Sequence, residues 1–346
     1  MISFNDSKLN SISVHHVGNQ MNDGSLHLSK APVPFDEELY DLFLLYFLKN
    51  FKITELFHFY HDEAIEKNTA FAAAQDIFEN PDNLHDASER LARRLYNKTE
   101  LESIHDGELH VAYFTECMSM GKYTDAVGIF KSEIKSQFIK VNSVTDTPDI
   151  THDSGIGVNK IDKGCLIFNQ EKEKGYIVAV IDKVSRGEEA HFWLDDFLQI
   201  IQRKDEYYNT QNVMEMCKTF VTKELPNNFE VSKADQADML NKSVNYFKEK
   251  EAFDMNDFSS EVMEQPEVID SFKNYKQNFQ QDRELELQEN FDISEPAVQK
   301  KSRSLKSVIK LDKNFHIYVH GNRRLIEQGE DESGRKFYKI YYEQEV

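Results

Sequence analysis

Cysteine is scarce in this chain of 346 residues, which carries only Cys117, Cys165 and Cys217. The three are widely separated, odd in number and form no CxxC pair, which argues against a disulfide framework or a structural zinc site. Buried free thiols in a reducing compartment are expected instead. Glycine (13) and proline (7) are sparse, which excludes collagen-like and low-complexity classes. Long apolar runs are missing too. Leu42 to Leu48 is the longest, far short of the ~20 residues of a membrane-spanning helix. Met1 to Asn10 is polar and has no apolar signal core. A soluble cytoplasmic protein without membrane contact is the expectation. Positive charge is also in deficit: 41 Lys and Arg against 61 Asp and Glu leave a net charge of −20. Such a surface repels phosphate, so any contact with nucleic acid has to come from a local cluster of cations.

What is present suffices for a sizeable core, since 40% of the residues are apolar and 12% aromatic. The length suggests two or three domains. Ile12 to Val17 and Ser25 to Leu28 read as a hairpin across a turn-rich segment. Asp36 is placed to cap a helix running to about Asn50, apolar on most faces and therefore expected to be deeply buried. Helical spacing follows from Glu63 to Asn97, with a break at Asn80-Pro81-Asp82. Arg90, Arg93 and Arg94 lie along one side of its second part and read as a solvated face near acidic neighbours.

The middle of the chain is β-rich. Glu108 to Glu116 with Ala126 to Phe130, and Gly164 to Phe168 with Tyr176 to Ile181, read as two hairpins, with Asn142 to Asn159 a polar loop between them. Glu188 to Gln202 returns to helical spacing, and a further helix spans Tyr207 to Glu224. Ser232 with Asp235 forms a capping pattern ahead of another helix, and two short helices follow to Gln280. An acidic stretch from Asp282 to Glu295 reads as a linker, and short strands follow from Val308 to Tyr342. The fold class is α+β, an antiparallel sheet packed with helices, followed by a helical segment and a small basic β-rich C-terminal part. The expected boundaries are a mixed domain over residues 1–185, a helical segment with acidic linker over 186–295 and a basic module over 296–346.

The most informative charge pattern lies in that last part. Lys300, Lys301, Arg303, Lys306, Lys310, Lys313, Arg323 and Arg324 are opposed there by Asp312 alone. Phe315, His316, Tyr318 and His320 interleave aromatic and basic character. A β-ribbon with such an edge is suited to track a phosphate backbone. The competing reading is a basic segment that neutralises the acidic stretch before it. The helices after Ser232 do not read as a helix-turn-helix, because Asp257, Glu261, Glu264, Glu267 and Asp270 would be expelled from a major groove. That face suits protein contact instead.

Catalytic signals are few. His58 and His61, with Asp62 and Glu63, have a spacing that a metal-dependent hydrolase would use, although the flanking Phe57, Phe59 and Tyr60 suggest packing. His15 and His16 point to opposite faces of a strand, one to the core and one to the surface. Asp195 and Asp196 diverge by about 100° on a helix and do not converge on one ion. The chain has no P-loop, GxSxG, HExxH or GxGxxG, and Gly155-Ile156-Gly157 lacks the third glycine of a nucleotide loop. No cofactor is implied, and an enzyme is not expected.

Three stretches carry a resemblance. They are Ile12-Ser13-Val14-His15-His16-Val17-Gly18 with Leu26-His27-Leu28-Ser29, then Tyr176 to Ile181 with Phe192-Trp193-Leu194-Asp195-Asp196-Phe197-Leu198, and finally Arg303 to Lys310 with Phe315-His316-Ile317. Their order and spacing resemble the bacterial 37-kilodalton nucleoid-associated protein family over nearly the whole chain. The resemblance implies a non-catalytic protein of the nucleoid that associates with double-stranded DNA, contacts type II topoisomerases and forms a homodimer. It brings no catalytic residues, and its DNA contacts map onto the basic positions of the tail.

Overall fold

The computed structural model describes residues 2–49, 51, 53, 55–99, 101–142, 148–182, 191–305, 308–319 and 323–344. The chain divides into two compact units, Met1–Arg203 and Lys204–Val346. The fold is α+β.

The first unit is organised around one antiparallel sheet. Its strands are β1 (Ile2–Ser3), β2 (Lys8–Val17), β3 (Leu26–His27), β4 (Leu56–Phe59), β5 (Gly107–Ser119) and β6 (Lys122–Ser132), then β9 (Lys163–Phe168), β10 (Ile177–Asp182) and β11 (Ile200–Gln202). Their order is β11-β4-β10-β9-β6-β5-β2-β3, with β1 on the far end of β5. Between β6 and β9 in sequence, β7 (Lys135–Asn142) and β8 (Asp149–Ile156) form a separate two-stranded ribbon.

The central strands read as continuous apolar runs because both faces of the sheet are covered. On β5, Leu109, Val111 and Tyr113 enter one core, while Ala112 and Phe114 enter the other. On β9, Cys165 and Ile167 alternate in the same way with Leu166 and Phe168. Helices α2 (Thr69–Glu79) and α3 (Leu84–Asn97) cover the first face with Ala70, Phe71, Ile77, Leu91 and Leu95. Phe47 reaches the second face and stacks on Phe130 with centroids 4.4 Å apart.

Several local expectations change. Asp36 caps α1 (Glu37–Leu44) by accepting from the backbone N–H of Leu39 at 2.9 Å, yet the helix proper buries no residue. Leu39 and Leu42 remain 41% and 42% exposed, and burial falls on the wider turn Leu45–Lys49, through Tyr46, Phe47 and Leu48. Of the predicted helix from Glu188 to Gln202, residues 188–190 lie outside the described residues. The expected helix is present as a wider π-helical segment, Phe192–Leu198, but ends early in β11, because Ile200 pairs with Phe59 at the sheet edge. The polar loop expected from Asn142 to Asn159 is in part strand β8.

The second unit holds α4 (Glu206–Thr219), α5 (Leu225–Asn228), α6 (Lys233–Glu249), α7 (Met255–Val262), α8 (Pro266–Asp282) and α9 (Glu295–Ser302). The expected capping box at α6 is present. Ser232 Oγ accepts from Asp235 N at 3.1 Å, and an Asp235 carboxylate oxygen accepts from Ser232 N at 2.9 Å. The acidic stretch after Asp282 is built into the unit: β13 (Asn290–Asp292) pairs with β12 (Ala252–Asp254), and Phe291 stacks on Phe253 at 4.8 Å. Two hairpins complete the unit, β14 (Val308–Leu311) with β15 (Phe315–Tyr318), and β16 (Ile326–Glu330) with β17 (Lys336–Ile340). Ile309, Val319 and Ile326 pack against Ala234 and Ala237 at the start of α6.

Candidate nucleic-acid interface

The basic residues of the tail fall into three places. Lys300, Lys301 and Arg303 end α9, where a cation is favoured by the helix macrodipole. Lys300 Nζ lies 5.6 Å from the centroid of the Tyr207 ring. Lys301 lies 3.4 Å from Glu215, so its charge is partly neutralised. Arg303 is exposed and has no ion pair among the described residues. Lys306 lies outside the described residues.

The second place is the β14–β15 hairpin. Lys310 sits opposite His316, and Val308 opposite Tyr318, so these four residues share one face. The other face carries Ile309 and Ile317 against α6. Lys313 occupies the turn, where Asp312 takes a left-handed φ of 51°. Lys310 and Lys313 are exposed and have no ion pair among the described residues. Phe315 and Tyr318 remain 65% and 59% exposed.

The third place is Arg323. Its Nε lies 2.5 Å from Asp235 Oδ1, so this guanidinium is held by the capping carboxylate of α6. Burial favours the protonated form of Asp235, but the Ser232 hydroxyl and Arg323 outweigh it and hold the carboxyl below its usual range. Of Arg324 only the backbone is described, in the short turn Arg323–Leu325.

Lys310 has a neighbour that sequence reasoning missed. It lines a cleft of ≈ 250 Å³ together with Lys233, Thr222, Gln236 and Leu240. Two lysines and, among the described residues, no carboxylate line the cleft, which suits an anion. Lys233 follows the N-cap Ser232 directly and donates to Gln236 Oε1 at 2.9 Å. A cation in the first turn opposes the macrodipole, and that anomaly was the available sequence signal.

The arginines of α3 serve the first unit itself. Arg90 pairs with Asp76, Arg93 lies 3.6 Å from Glu89, and Arg94 donates to the carbonyls of Phe197 and Asp196 at 2.8 Å each. The histidine cluster does not converge. His58 Nε2 lies 2.9 Å from Glu171, which also holds Arg203 at 2.8 Å. His61 Nδ1 accepts from Glu63 N at 3.2 Å, and Asp62 accepts from the Tyr60 hydroxyl at 2.5 Å. Among the described residues no three His, Cys, Asp or Glu side chains are grouped to hold a metal ion.

Cys117, Cys165 and Cys217 are free and buried. Burial raises the Cys117 thiol to about 11 and the Cys217 thiol to about 12, which leaves both protonated and inert. His15 is buried and His16 half-buried. No helix among the described residues is long and apolar enough to cross a membrane.

The family described as nucleoid-associated protein YejK matches residues 13–341, and the chain belongs to that family. No curated protein matches the chain.

Proposed function

We propose that the protein is a non-catalytic, cytoplasmic component of the nucleoid that associates with double-stranded DNA as a homodimer. The contact runs through the second unit, with Lys233 and Lys310 at its centre and with Lys313 of the hairpin turn and Arg303 at the end of α9 as further cations. The observation that carries this reading is the cleft lined by Lys233 and Lys310 and, among the described residues, by no carboxylate. Arg323 and Lys301 contribute less, because Asp235 and Glu215 already hold them. The local excess of positive charge outweighs the net −20 of the chain at short range, since charges further than about 8 Å away are largely screened at physiological salt.

The test is retardation of duplex DNA by the full chain over a series of salt concentrations. Four cations on phosphate give a log–log slope of about −3.6. Replacing Lys233 and Lys310 by Ala is expected to reduce that slope by about 1.8. Retardation that is indifferent to both salt and these substitutions would overturn the reading.

A second reading is contact with a DNA enzyme of the type II topoisomerase class through acidic helices. Its support is α8, where Glu267 and Asp270 are exposed and have no ion pair among the described residues. Capture of the enzyme that survives nuclease treatment distinguishes this from bridging by DNA.

A further inference from the structure

The β7–β8 ribbon stands apart from the sheet that it leaves. Every residue of β7 is exposed, as are those of β8 from Asp149 to Ser154. The strands pair only with each other among the described residues, so both outer edges keep unpaired backbone groups. A lone two-stranded ribbon is marginally stable in water.

Its two faces differ. On one, Lys140 bonds Asp153 at 2.9 Å and lies 5.4 Å from the Phe138 ring centroid, so the lysine there already has partners. On the other, Ile139, Val141 and Ile150 are 71%, 59% and 66% exposed, with Gln137, His152 and Ser154 beside them. The one charge on that face is Lys135 at the root, held by Glu108 at 2.9 Å.

The root is firmly built. Glu133, between β6 and β7, has a side chain 1% exposed, and both of its carboxylate oxygens lie 2.7 Å from Lys163 Nζ. Lys131 Nζ reaches the same carboxylate at 3.0 Å and donates to His105 O at 2.7 Å. Asp162, just before β9, accepts from the backbone N–H groups of Glu133 and Ile134 at 2.9 and 3.0 Å. Both chain segments entering the ribbon are thereby tied to the sheet.

We infer that the bare face of this ribbon is the contact between two copies of the chain. Charge selects the occupant. The described strands carry Lys135 and Lys140 against Asp149 and Asp153, a net charge of zero in a chain of −20. Two copies that repel elsewhere meet without repulsion here. The two lysines are spent on Glu108 and Asp153, which leaves no cation for a nucleic-acid or lipid phosphate. A two-fold contact requires a surface that tolerates itself, and an uncharged apolar stripe does. Ile139, Val141 and Ile150 together expose roughly a few hundred Å² of apolar surface per copy, in the range of the largest apolar patch of a monomer, which is often functional. Two such faces bury well under the ~1,200 Å² of a stable interface, so the dimer is weak and transient.

This inference gives a location to the homodimer proposed above and is independent of DNA binding. Sedimentation of the full chain tests it. The mass is expected to rise from 40.4 kDa towards twice that value over the micromolar range. Ile139→Asp with Ile150→Asp is expected to weaken association roughly hundredfold or more, and Lys140→Ala to leave it unchanged. Because these side chains are exposed, thermal melting of the variants should match that of the parent. Under mild oxidation, Ile139→Cys should link two copies and Lys140→Cys should not, the native thiols being buried. A parent chain that stays monomeric at about 200 µM overturns both the homodimer and its location. A dimer that the double Asp variant retains, or equal linking from both cysteine positions, overturns the location alone. Retardation by the monomeric variant reads the DNA proposal separately.

Discussion

Glu133 and Lys163 form a buried ion pair, with both carboxylate oxygens 2.7 Å from the ammonium group, where the sheet gives rise to the β7–β8 ribbon. Lys131 completes the cluster. Burial alone pushes the Lys131 ammonium down and the Glu133 carboxyl up, yet the two lysines prevail at Glu133 and hold it ionised. Glu133→Gln would leave two ammonium groups in the protein interior without a counterion. A loss of roughly 3–5 kcal/mol in denaturant unfolding is expected. Replacing all three by apolar residues of similar volume is expected to be near neutral or stabilising, and the comparison of the two variants checks that the penalty comes from unpaired charge.

Acid sensitivity is expected from His110. Burial lowers it from its usual 6.5 to about 4, and its ring packs against Phe47 at 5.6 Å. The unfolded chain then binds the proton more readily than the folded one between about pH 6.5 and 4. Stability is therefore fully present above pH 6.5 and falls as the pH drops through that window, by roughly 3 kcal/mol for this residue. His15, lowered to about 4 chiefly by burial and then by His85, acts in the same direction. His110→Phe should flatten the pH dependence of unfolding. An unchanged slope between pH 4 and 6.5 would refute the assignment.

Asn68 is fully buried and serves two structures at once. Its side-chain oxygen accepts from Ala70 N and Phe71 N at 2.9 and 3.0 Å and caps α2. Its amide donates to the carbonyls of Tyr60, Leu198 and Gln199 at 3.0, 2.8 and 3.1 Å. Asn68→Ala should cost about 2–4 kcal/mol, since the cap and several buried acceptors lose their partner together. Asn68→Asp keeps the cap and loses the donors, so it should also destabilise, as thermal melting would report.

Arg323 and Lys310 separate a cation held by the fold from one without an ion pair among the described residues. Arg323 is bound to Asp235, so Arg323→Ala should lower thermal stability while leaving the salt slope of DNA retardation nearly unchanged. Lys310→Ala should reduce the slope by about 0.9 with little effect on stability. The reverse pattern would show that the cleft is not the contact.

Legibility in the sequence followed burial. Strands β5, β6, β9 and β10 could be read because each is an apolar run covered on both faces. The Ser232 box and the Asn80-Pro81 break were legible because they are local. The ribbon was not, because Asp149 to Ile156 mixes Thr, His, Asp and Ser and only Ile156 at its root packs against the core of the sheet. Trp193 to Ile201 satisfied helical spacing, yet edge pairing with β4 drew its end into the sheet. At the interface, the tail cations were visible as a run, but their partners Glu215 and Asp235 lie 86 and 88 positions away in the chain.

The order of amino acids by itself determined the α+β class, the inert thiols and the reversal of charge near the end, because these depend on composition and on patterns of a few residues. Which cations keep their charge available, that Lys233 joins Lys310, and that one ribbon leaves the sheet with a bare apolar face were decided only by the tertiary structure. The physical reason is that neutralisation and burial act between side chains brought together by folding, whatever their separation along the chain.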